Sequence, residues 1–372
     1  MALANGGNIR LASDIDTGAT QTWVIETAVV LDLNGCKITS GITGNDYLFT
    51  LNSGSLTVTD ASAGQDGCIS VLQAQAINIK GTGSKFTLEN GTIEAKEDTL
   101  EIVYNAEDTV CEFKGGRITA EGGNKVIGAY GRGTVVNISG GEIEMKNGTN
   151  QCFYLSGSSA DSGVTLNMTG GKMISSAAGV YVSNYATVNI SDDAYIESNN
   201  KYGALYIGAY NESSLSNINI SGGTIKSTGN NAYAICSTTS AYCNIEISGG
   251  QILSESSSKK AIYIYNNTSL MITGGTFSSD VTAYLTSGMQ QDDDGKVSID
   301  TAVAVASIDG AAYTSLDDAI GAAGIGDTIK LENDITLSSP CLLYTSKKNN
   351  TIYCVFLLTA PFCYDNIPIS IK

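Results

Sequence analysis

Histidine is absent from this chain of 372 residues, tryptophan occurs once and proline three times. Without histidine or any CxxC pair, the usual ligands of a zinc site are missing, and we expect neither a metal nor a cofactor. No stretch reaches the roughly 18 apolar residues that a membrane-spanning helix requires, so we expect no membrane insertion. The first residues, MALANGGN, have neither a basic start nor an apolar core, so they do not resemble a secretion signal.

Positive charge is also scarce. Lys and Arg number 20 against 37 Asp and Glu, which gives a formal net charge of −17. A surface this acidic repels phosphate backbones and anionic lipid headgroups. We therefore expect neither nucleic acid nor a membrane surface as a partner.

The nine cysteines are scattered, mostly in strand-like contexts such as LNGCKI and DTVCEF. Isolated cysteines of this kind behave as small buried hydrophobic residues. Disulfide frameworks are typical of small, cysteine-dense chains, and this chain is neither. Only Cys236 and Cys243 are close enough in sequence to invite pairing, and whether they pair stays open at this point.

Glycine and tyrosine are abundant, with 42 and 19 residues, and the glycines mark a repeat. Segments such as NINISGGTIKS and NIEISGGQILS alternate apolar and polar residues, break at Gly-Gly, then alternate again. With Ala194 in a degenerate copy, the second glycine recurs every 23 to 30 residues, at Gly91, Gly116, Gly141, Gly171, Gly223, Gly250 and Gly275. Alternation with period two is typical of strands, and a repeat of this length is typical of a solenoid.

We interpret each repeat as one coil of a right-handed parallel β-helix, with a strand, a glycine corner, a second strand, a looser corner and a third strand. Apolar residues two positions after the corner, such as Ile118, Ile143 and Ile225, would then stack about 4.8 Å apart in one continuous core. The fold prediction is an all-β, single-stranded solenoid of about ten coils within residues 1–300. A β-propeller is the alternative, but its blades are longer than these repeats.

A short helical cap segment is predicted near residue 316. Ser315 and Asp318 form a capping pattern. The apolar residues that follow share one helical face: Leu316, Ala319, Ile320 and Ala323. The next stretch, GDTIKLENDITL, matches GGNIRLASDIDT near the start of the chain. We therefore predict a first module over residues 1–300 with a truncated cap, a second truncated module beginning at 301–340, and a longer tandem protein around both.

Residues 341–372 differ from the rest in composition. From Asp327 onward there is no glycine, and every proline lies in this stretch. The hexapeptide CLLYTS corresponds to the codons TGT CTC TTA TAC ACA TCT, which resemble a transposon end used in preparing sequencing libraries. We interpret residues 341–372 as a sequencing and translation artefact or a disordered tail. The alternative is a genuine apolar tail around TIYCVFLLTA, which is too short to span a bilayer.

The stretches VVLDLNGCKIT, the ISGGTI repeats and DVTAYLTSGMQQDDDG together resemble β-helix modules of bacterial cell-surface, adhesin-like proteins, whose fold is similar to that of pectin lyases. The resemblance covers roughly residues 4–337 and consists chiefly of corner and core residues. It implies a secreted or surface-displayed protein. Cys36 is a departure, because the family pattern commonly has a polar residue there.

A tyrosine file recurs once per coil, 10 to 14 residues after the corner, at Tyr104, Tyr130, Tyr154, Tyr181, Tyr206, Tyr233 and Tyr263. In segments such as FYL, VYV and LYI the apolar neighbours would face inward and turn the tyrosine outward. Exposed phenol rings offer faces for sugar stacking and hydroxyl groups for hydrogen bonds. The predicted carbohydrate-binding residues are Tyr154, Tyr181, Tyr206, Tyr233 and Tyr263. The alternative is that stacked rings only stabilise the sheet.

A polysaccharide lyase or glycoside hydrolase is the alternative from another functional class. It would need acids at stacked positions of neighbouring coils. The third position after the corner holds Glu94, Thr119, Glu144, Ile174, Glu197 and Lys226. Because the acids skip coils, they would lie about 9.6 Å apart along the axis, beyond the usual separation of about 6.5–9.5 Å for an inverting pair. We therefore expect no catalytic residues.

The predicted function is a non-enzymatic, rigid and acidic stalk or adhesin, secreted or at the cell surface. Its expected partner is a polysaccharide or a host-surface glycan, contacted through the tyrosine file. The acidic turn at residues 292–295 does not fit the spacing of an EF-hand loop. We expect a monomer or one part of a longer tandem chain.

Overall fold

The computed structural model of the protein describes residues 2–103, 105–159, 163–209, 212–324, 327–333, 341–342, 357–358 and 368–370. They form two compact units, Met1–Tyr284 with Asp294–Lys296, and Leu285–Asp293 with Val297–Lys372. The first unit is an all-β parallel solenoid of about ten coils, which confirms the predicted fold. No helix in the described part of the chain is long and apolar enough to cross a membrane.

Each coil contributes strands to three faces, which we name A, B and C. Face A is an 11-stranded sheet. Its strands are Gly7–Arg10, Ala28–Asp32, Ser55–Thr59, Lys85–Leu88, Val110–Phe113, Val135–Ile138, Val164–Met168, Ala186–Ile190, Ser216–Ile220, Cys243–Ile247 and Thr268–Ile272. Every pair within it is parallel, because each strand lies beside its counterpart in the next coil.

Faces B and C belong to one 19-stranded sheet, because two long strands, Lys37–Leu51 and Cys68–Ile79, run through both. The other strands of face B are Ile15–Asp16, Thr92–Ala95, Arg117–Ala120, Glu142–Met145, Lys172–Ser175, Tyr195–Ser198, Thr224–Ser227, Gln251–Ser254 and Thr276–Phe277. The other strands of face C are Trp23–Ile25, Leu100–Ile102, Ile127–Ala129, Gln151–Leu155, Ala178–Val182, Leu205–Ile207, Ile235–Ser237 and Ile262–Tyr263. Short helical turns occur at Ala2–Asn5, Glu212–Ser214 and Thr282–Tyr284.

The predicted core ladders are in register. On face B, Ile118 pairs with Ile143, and Ile196 pairs with Ile225. All four side chains are at most 2% exposed. Stacking one apolar residue directly on its counterpart removes both from water in every coil, so the same interior continues along the solenoid.

The glycine corners adopt the backbone conformation that the repeat predicts. Gly141, for example, has a φ of +79°, a left-handed value that residues with a Cβ rarely adopt. In the degenerate copy SDDA, the left-handed residue is Asp192, with a φ of +51°. Aspartate tolerates this conformation better than most residues, which explains why that corner survives without glycine.

Asp60 is a buried residue whose carboxylate connects several backbone N–H groups of one corner. It is 1% exposed, and its carboxylate accepts backbone hydrogen bonds from Gly35 at 2.8 Å, from Ser62 at 3.0 Å and from Gly67. Burial disfavours the charged carboxylate, but these hydrogen bonds favour it and outweigh burial. The pKa of Asp60 therefore lies below its ordinary value.

This depressed pKa predicts loss of stability in acid. Asp60 contributes stability above its unfolded-state pKa of about 3.9, and the contribution disappears as pH falls through the lower folded-state value. We expect the urea midpoint of the wild type to fall between about pH 5 and pH 2, and Asp60→Asn to be less stable at neutral pH with a shallower fall. The exposed Asp46→Asn serves as control. An Asp60→Asn variant as steep as wild type would contradict the assignment.

The second unit contains a helix, Leu316–Ala322, and short antiparallel strands. The strand pairs are Met289–Gln291 with Val297–Ile299, Ala306–Ile308 with Ala311–Tyr313 and with Thr328–Leu331, Thr328–Leu331 with Pro368–Ser370, and Cys341–Leu342 with Leu357–Leu358. Residues 334–340 and most of the predicted tail at 341–372 lie outside the described residues. The interpretation of that tail stays a prediction.

The predicted cap of this helix is confirmed. The Ser315 side chain accepts a hydrogen bond from the backbone N–H of Asp318 at 3.1 Å. The buried cluster beneath the helix consists of Ala306, Ile308, Leu316, Ala319 and Ile329. Thr328–Leu331 pairs antiparallel with Ala306–Ile308, whereas its sequence counterpart Gly7–Arg10 lies in parallel face A. That residues 301–340 begin a second β-helix module therefore stays a prediction.

Candidate functional site

Four of the five predicted tyrosines occupy one row on face C. Tyr154 pairs with Tyr181 and Tyr181 with Tyr206 in successive strands. Cys236 takes the next place and Tyr263 the one after it. The residues on either side of the first three tyrosines are buried, so alternation along the strand turns the phenol rings outward. The alternation along these strands is as predicted, but the rings are less exposed than expected, because Tyr154 and Tyr206 are half-buried and Tyr181 is buried.

The backbone positions of Tyr130 and Tyr233 lie outside this row, but their rings contact rings that belong to it. Gly128, not Tyr130, pairs with Tyr154, and Tyr233 comes three residues before Cys236. The Tyr130 ring nevertheless lies 5.2 Å from that of Tyr154, between centroids, and the Tyr233 ring 4.8 Å from that of Tyr263. Tyr104 of the predicted file lies outside the described residues.

The rings stack on one another along the solenoid. The Tyr154 and Tyr181 centroids are 5.1 Å apart with 21° between the ring planes, and the Tyr181 and Tyr206 centroids are 5.3 Å apart. Tyr181 is consequently only 8% exposed, whereas Tyr263 is 38% exposed. Because neighbouring rings cover the faces of Tyr181, the middle of the row offers ring edges and hydroxyl groups, and sugar stacking on a ring face is restricted to less covered rings such as Tyr263.

Two further tyrosines that sequence reasoning missed widen this surface. Tyr202 lies 5.0 Å from Tyr206, and Tyr265 lies 5.2 Å from Tyr263 in an edge-on arrangement. We use the term tyrosine surface for the following set: Tyr130, Tyr154, Tyr181, Tyr202, Tyr206, Tyr233, Tyr263 and Tyr265. The signal was present in the sequence as a second tyrosine near the row position, in NKYGALYI and AIYIYNN.

Two hydroxyl groups of this surface, those of Tyr130 and Tyr265, have raised pKa values. Burial raises the pKa of Tyr130 to about 12. A hydrogen bond with Tyr263 raises the pKa of Tyr265. A neutral phenol both donates and accepts hydrogen bonds, which suits sugar hydroxyl groups.

A buried charge cluster lies at the Tyr130 end. Lys125 forms ion pairs with Asp98 and, at 3.4 Å, with Glu101. The Tyr47 hydroxyl donates to Glu101 at 2.9 Å. The Lys125 Nζ also lies 5.7 Å from the Tyr130 ring centroid. Burial disfavours the Lys125 ammonium, but the hydrogen bond and charge of Asp98 outweigh it, so the pKa of Lys125 is raised above its ordinary value.

Glycines make room for these side chains. A Cβ at Gly128 would lie 2.2 Å from the Lys125 Cε, and a Cβ at Gly208 would lie 2.1 Å from the Tyr181 hydroxyl. Both distances are far below van der Waals contact, so these two positions accommodate only glycine while the side chains keep their places. Gly128 thus occupies the row position next to Tyr154, and the Lys125 side chain fills the space beside it, so the tyrosine row ends at this strand.

The predicted acid ladder is in register but each acid has a cationic partner. Glu94 and Glu144 both pair with Thr119 in the sheet. Glu94 lies 3.8 Å from the Nζ of Lys37, Glu144 contacts Arg117, and Glu197 lies 4.0 Å from the Nζ of Lys226. One position after the corner, Arg117, Glu142 and Lys172 form a second ladder in register. These acids form surface ion pairs, and two carboxylates do not face each other across adjacent coils of this ladder.

Cys236 and Cys243 are free thiols in the structure, 6% and 0% exposed. Burial raises the pKa of each thiol to about 12. Because the thiolate is the reactive form, both behave as core residues.

Within the part of the chain that the structure describes, no group of three or more acidic or cysteine side chains is arranged to hold a metal ion. No protein family, curated protein or solved structure matches this chain in sequence or fold comparisons.

Proposed function

We propose that this protein is a non-enzymatic stalk and adhesin that binds carbohydrate through the tyrosine surface. The observation that carries the proposal is the row of outward-facing phenols on face C, held in register by parallel strands. Its secreted or surface-displayed location and its relation to bacterial adhesin-like β-helix proteins are part of the same proposal. They are supported by the corner and core motifs of the repeat.

The ladder geometry favours binding over polysaccharide cleavage. Glu94, Glu144 and Glu197 are spread over alternate coils and each contacts a cation. A hydrolase needs one protonated and one ionised carboxyl close together, and these three acids do not lie on adjacent coils of the ladder. The tyrosine row, by contrast, repeats one neutral hydrogen-bonding group over successive coils, as a linear polymer of sugars requires.

Removing three hydroxyl groups from the row tests carbohydrate binding while the stacked rings stay in place. We expect Tyr154→Phe, Tyr206→Phe and Tyr263→Phe combined to weaken glycan binding by roughly 100-fold, if each hydroxyl contributes about 1 kcal/mol. Affinity is measured by glycan array followed by calorimetry on the strongest binders. Phenylalanine keeps the ring contacts, so circular dichroism is expected to be unchanged.

A matched control removes a phenol hydroxyl from face B. Tyr195→Phe deletes a hydroxyl that bonds to Glu197 and lies away from the tyrosine surface, so glycan affinity should stay at the wild-type value. An unchanged affinity in the triple variant, or a wild-type protein that binds no glycan on the array, would disprove the proposal.

A further inference from the structure

Lysines flank the tyrosine surface on one side. The Nζ of Lys201 lies 4.9 Å from the Tyr202 ring centroid, and that of Lys259 lies 5.2 Å from the Tyr233 centroid. Both lysines belong to the corner that leads from face B into face C. Cationic groups at this distance from an aromatic ring are attracted to its face, which holds them beside the phenols.

These two lysines are not neutralised by carboxylates. Among the described residues, the ion pairs include other cations, such as Lys114 with Glu89 and Lys146 with Glu121, but neither Lys201 nor Lys259. Lys125, at the far end of the tyrosine surface, is fully engaged with Asp98. Positive charge is therefore available to a ligand beside Tyr202 and Tyr233.

The register sets the spacing between the two lysines. Leu205 pairs with Ile235, and Ile235 with Ile262, so the corners that precede these strands are two coils apart. The two ammonium groups nevertheless lie beside rings of neighbouring coils, because Lys259 reaches back to Tyr233, which belongs to the coil between them. The Ser258 hydroxyl, in the same corner as Lys259, lies 3.5 Å from the amide oxygen of Asn231 in the corner between the two lysines.

We propose that the ligand of the tyrosine surface is a linear anionic glycan that carries carboxylate or sulfate groups. This inference rests on the proposed carbohydrate-binding function and names its substrate class. Lys201 and Lys259 each bind one anionic group of the glycan, beside the rings of Tyr202 and Tyr233.

The net charge of −17 does not oppose this binding. At physiological ionic strength a charge acts over about 8 Å, so the groups beside the ligand determine the local interaction. The acidic remainder of the surface repels the same polymer elsewhere and so confines it to the lysine side of face C.

The test uses hyaluronan octasaccharide, in which alternate sugars carry a carboxylate, and the same octasaccharide with its carboxylates methyl-esterified. We expect the charged form to bind at least roughly tenfold more tightly, and Lys201→Met with Lys259→Met to abolish this preference. Lys172→Met is the matched control, because Lys172 lies 5.5 Å from the Tyr195 ring on face B. Chondroitin sulfate oligosaccharides, tested in parallel, distinguish sulfate from carboxylate as the preferred anion.

The outcomes separate this inference from the proposed function. Equal binding of charged and esterified forms, with both weakened by the triple tyrosine variant, would overturn the inference and leave carbohydrate binding in place. If the protein bound none of these glycans and none on the array, both proposals would be wrong.

Discussion

Gly141→Ala is expected to destabilise the solenoid by about 2–5 kcal/mol. Gly141 has a φ of +79°, which costs a residue with a Cβ roughly 1–2 kcal/mol. A Cβ there would also lie 2.7 Å from the carbonyl oxygens of Gly115 and Gly116 in the preceding coil. Backbone atoms cannot move aside as a flexible side chain can, so the two coils must separate locally. Urea unfolding followed by circular dichroism measures the loss.

Gly83→Ala separates the two contributions to this loss. Gly83 has a similar φ of +69°, but a Cβ there meets nothing within 4 Å. We therefore expect its loss to be only the conformational part, about 1–2 kcal/mol. If both variants lost the same stability, the close stacking of successive corners would not be what requires glycine at Gly141.

Lys125→Met is expected to cost about 3–5 kcal/mol, because it leaves the Asp98 carboxylate buried without its cation. The side chains of Lys125 and Asp98 are 9% and 10% exposed, so water compensates little for the missing charge. Since the pKa of Lys125 is raised in the folded state, its contribution is complete below the unfolded-state pKa of about 10.4 and is lost only as pH rises through the folded value. The loss of unfolding free energy in Lys125→Met should thus be equal at pH 6 and pH 9.

A second variant distinguishes the buried charge from simple loss of packing. Adding Asp98→Asn to Lys125→Met removes the unpaired carboxylate, while the amide oxygen can still accept the backbone hydrogen bonds from Asn124 and from residue 125, now at 2.9 and 3.0 Å. We expect this double variant to recover at least about 1 kcal/mol. A double variant less stable than Lys125→Met would show that packing, not charge, is the main role of Lys125.

The corner glycines and inward ladders could be predicted from the sequence because both are local features. A Gly-Gly break with apolar residues at fixed offsets fixes where the chain bends and which side chains face inward. Once Ile118 and Ile143 both face inward at the same offset, parallel stacking leaves them only one register, because a slip by one residue would turn each to water. The helix N-cap at Ser315 could also be predicted, because it depends only on residues that are close in sequence.

The tyrosine surface depended on the looser corner between faces B and C, whose length differs from coil to coil. A difference of one residue in the length of this corner decides whether a tyrosine lies at the row position. Tyr154 lies at the row position, whereas Tyr233 lies three residues before it and Cys236 occupies the row position in that coil. The offsets of 10 to 14 residues in the sequence indicated the file but could not assign its members to positions.

By itself, then, the sequence determined a coil that repeats, bends at glycine and buries one side of every strand. The tertiary structure alone decided which residues 25 or more positions apart meet across coils, such as Lys125 with Asp98. It also decided that Lys201 and Lys259 lie two coils apart. The physical reason is that inward residues are selected by burial within each strand, whereas outward neighbours depend on the summed lengths of all the corners between them.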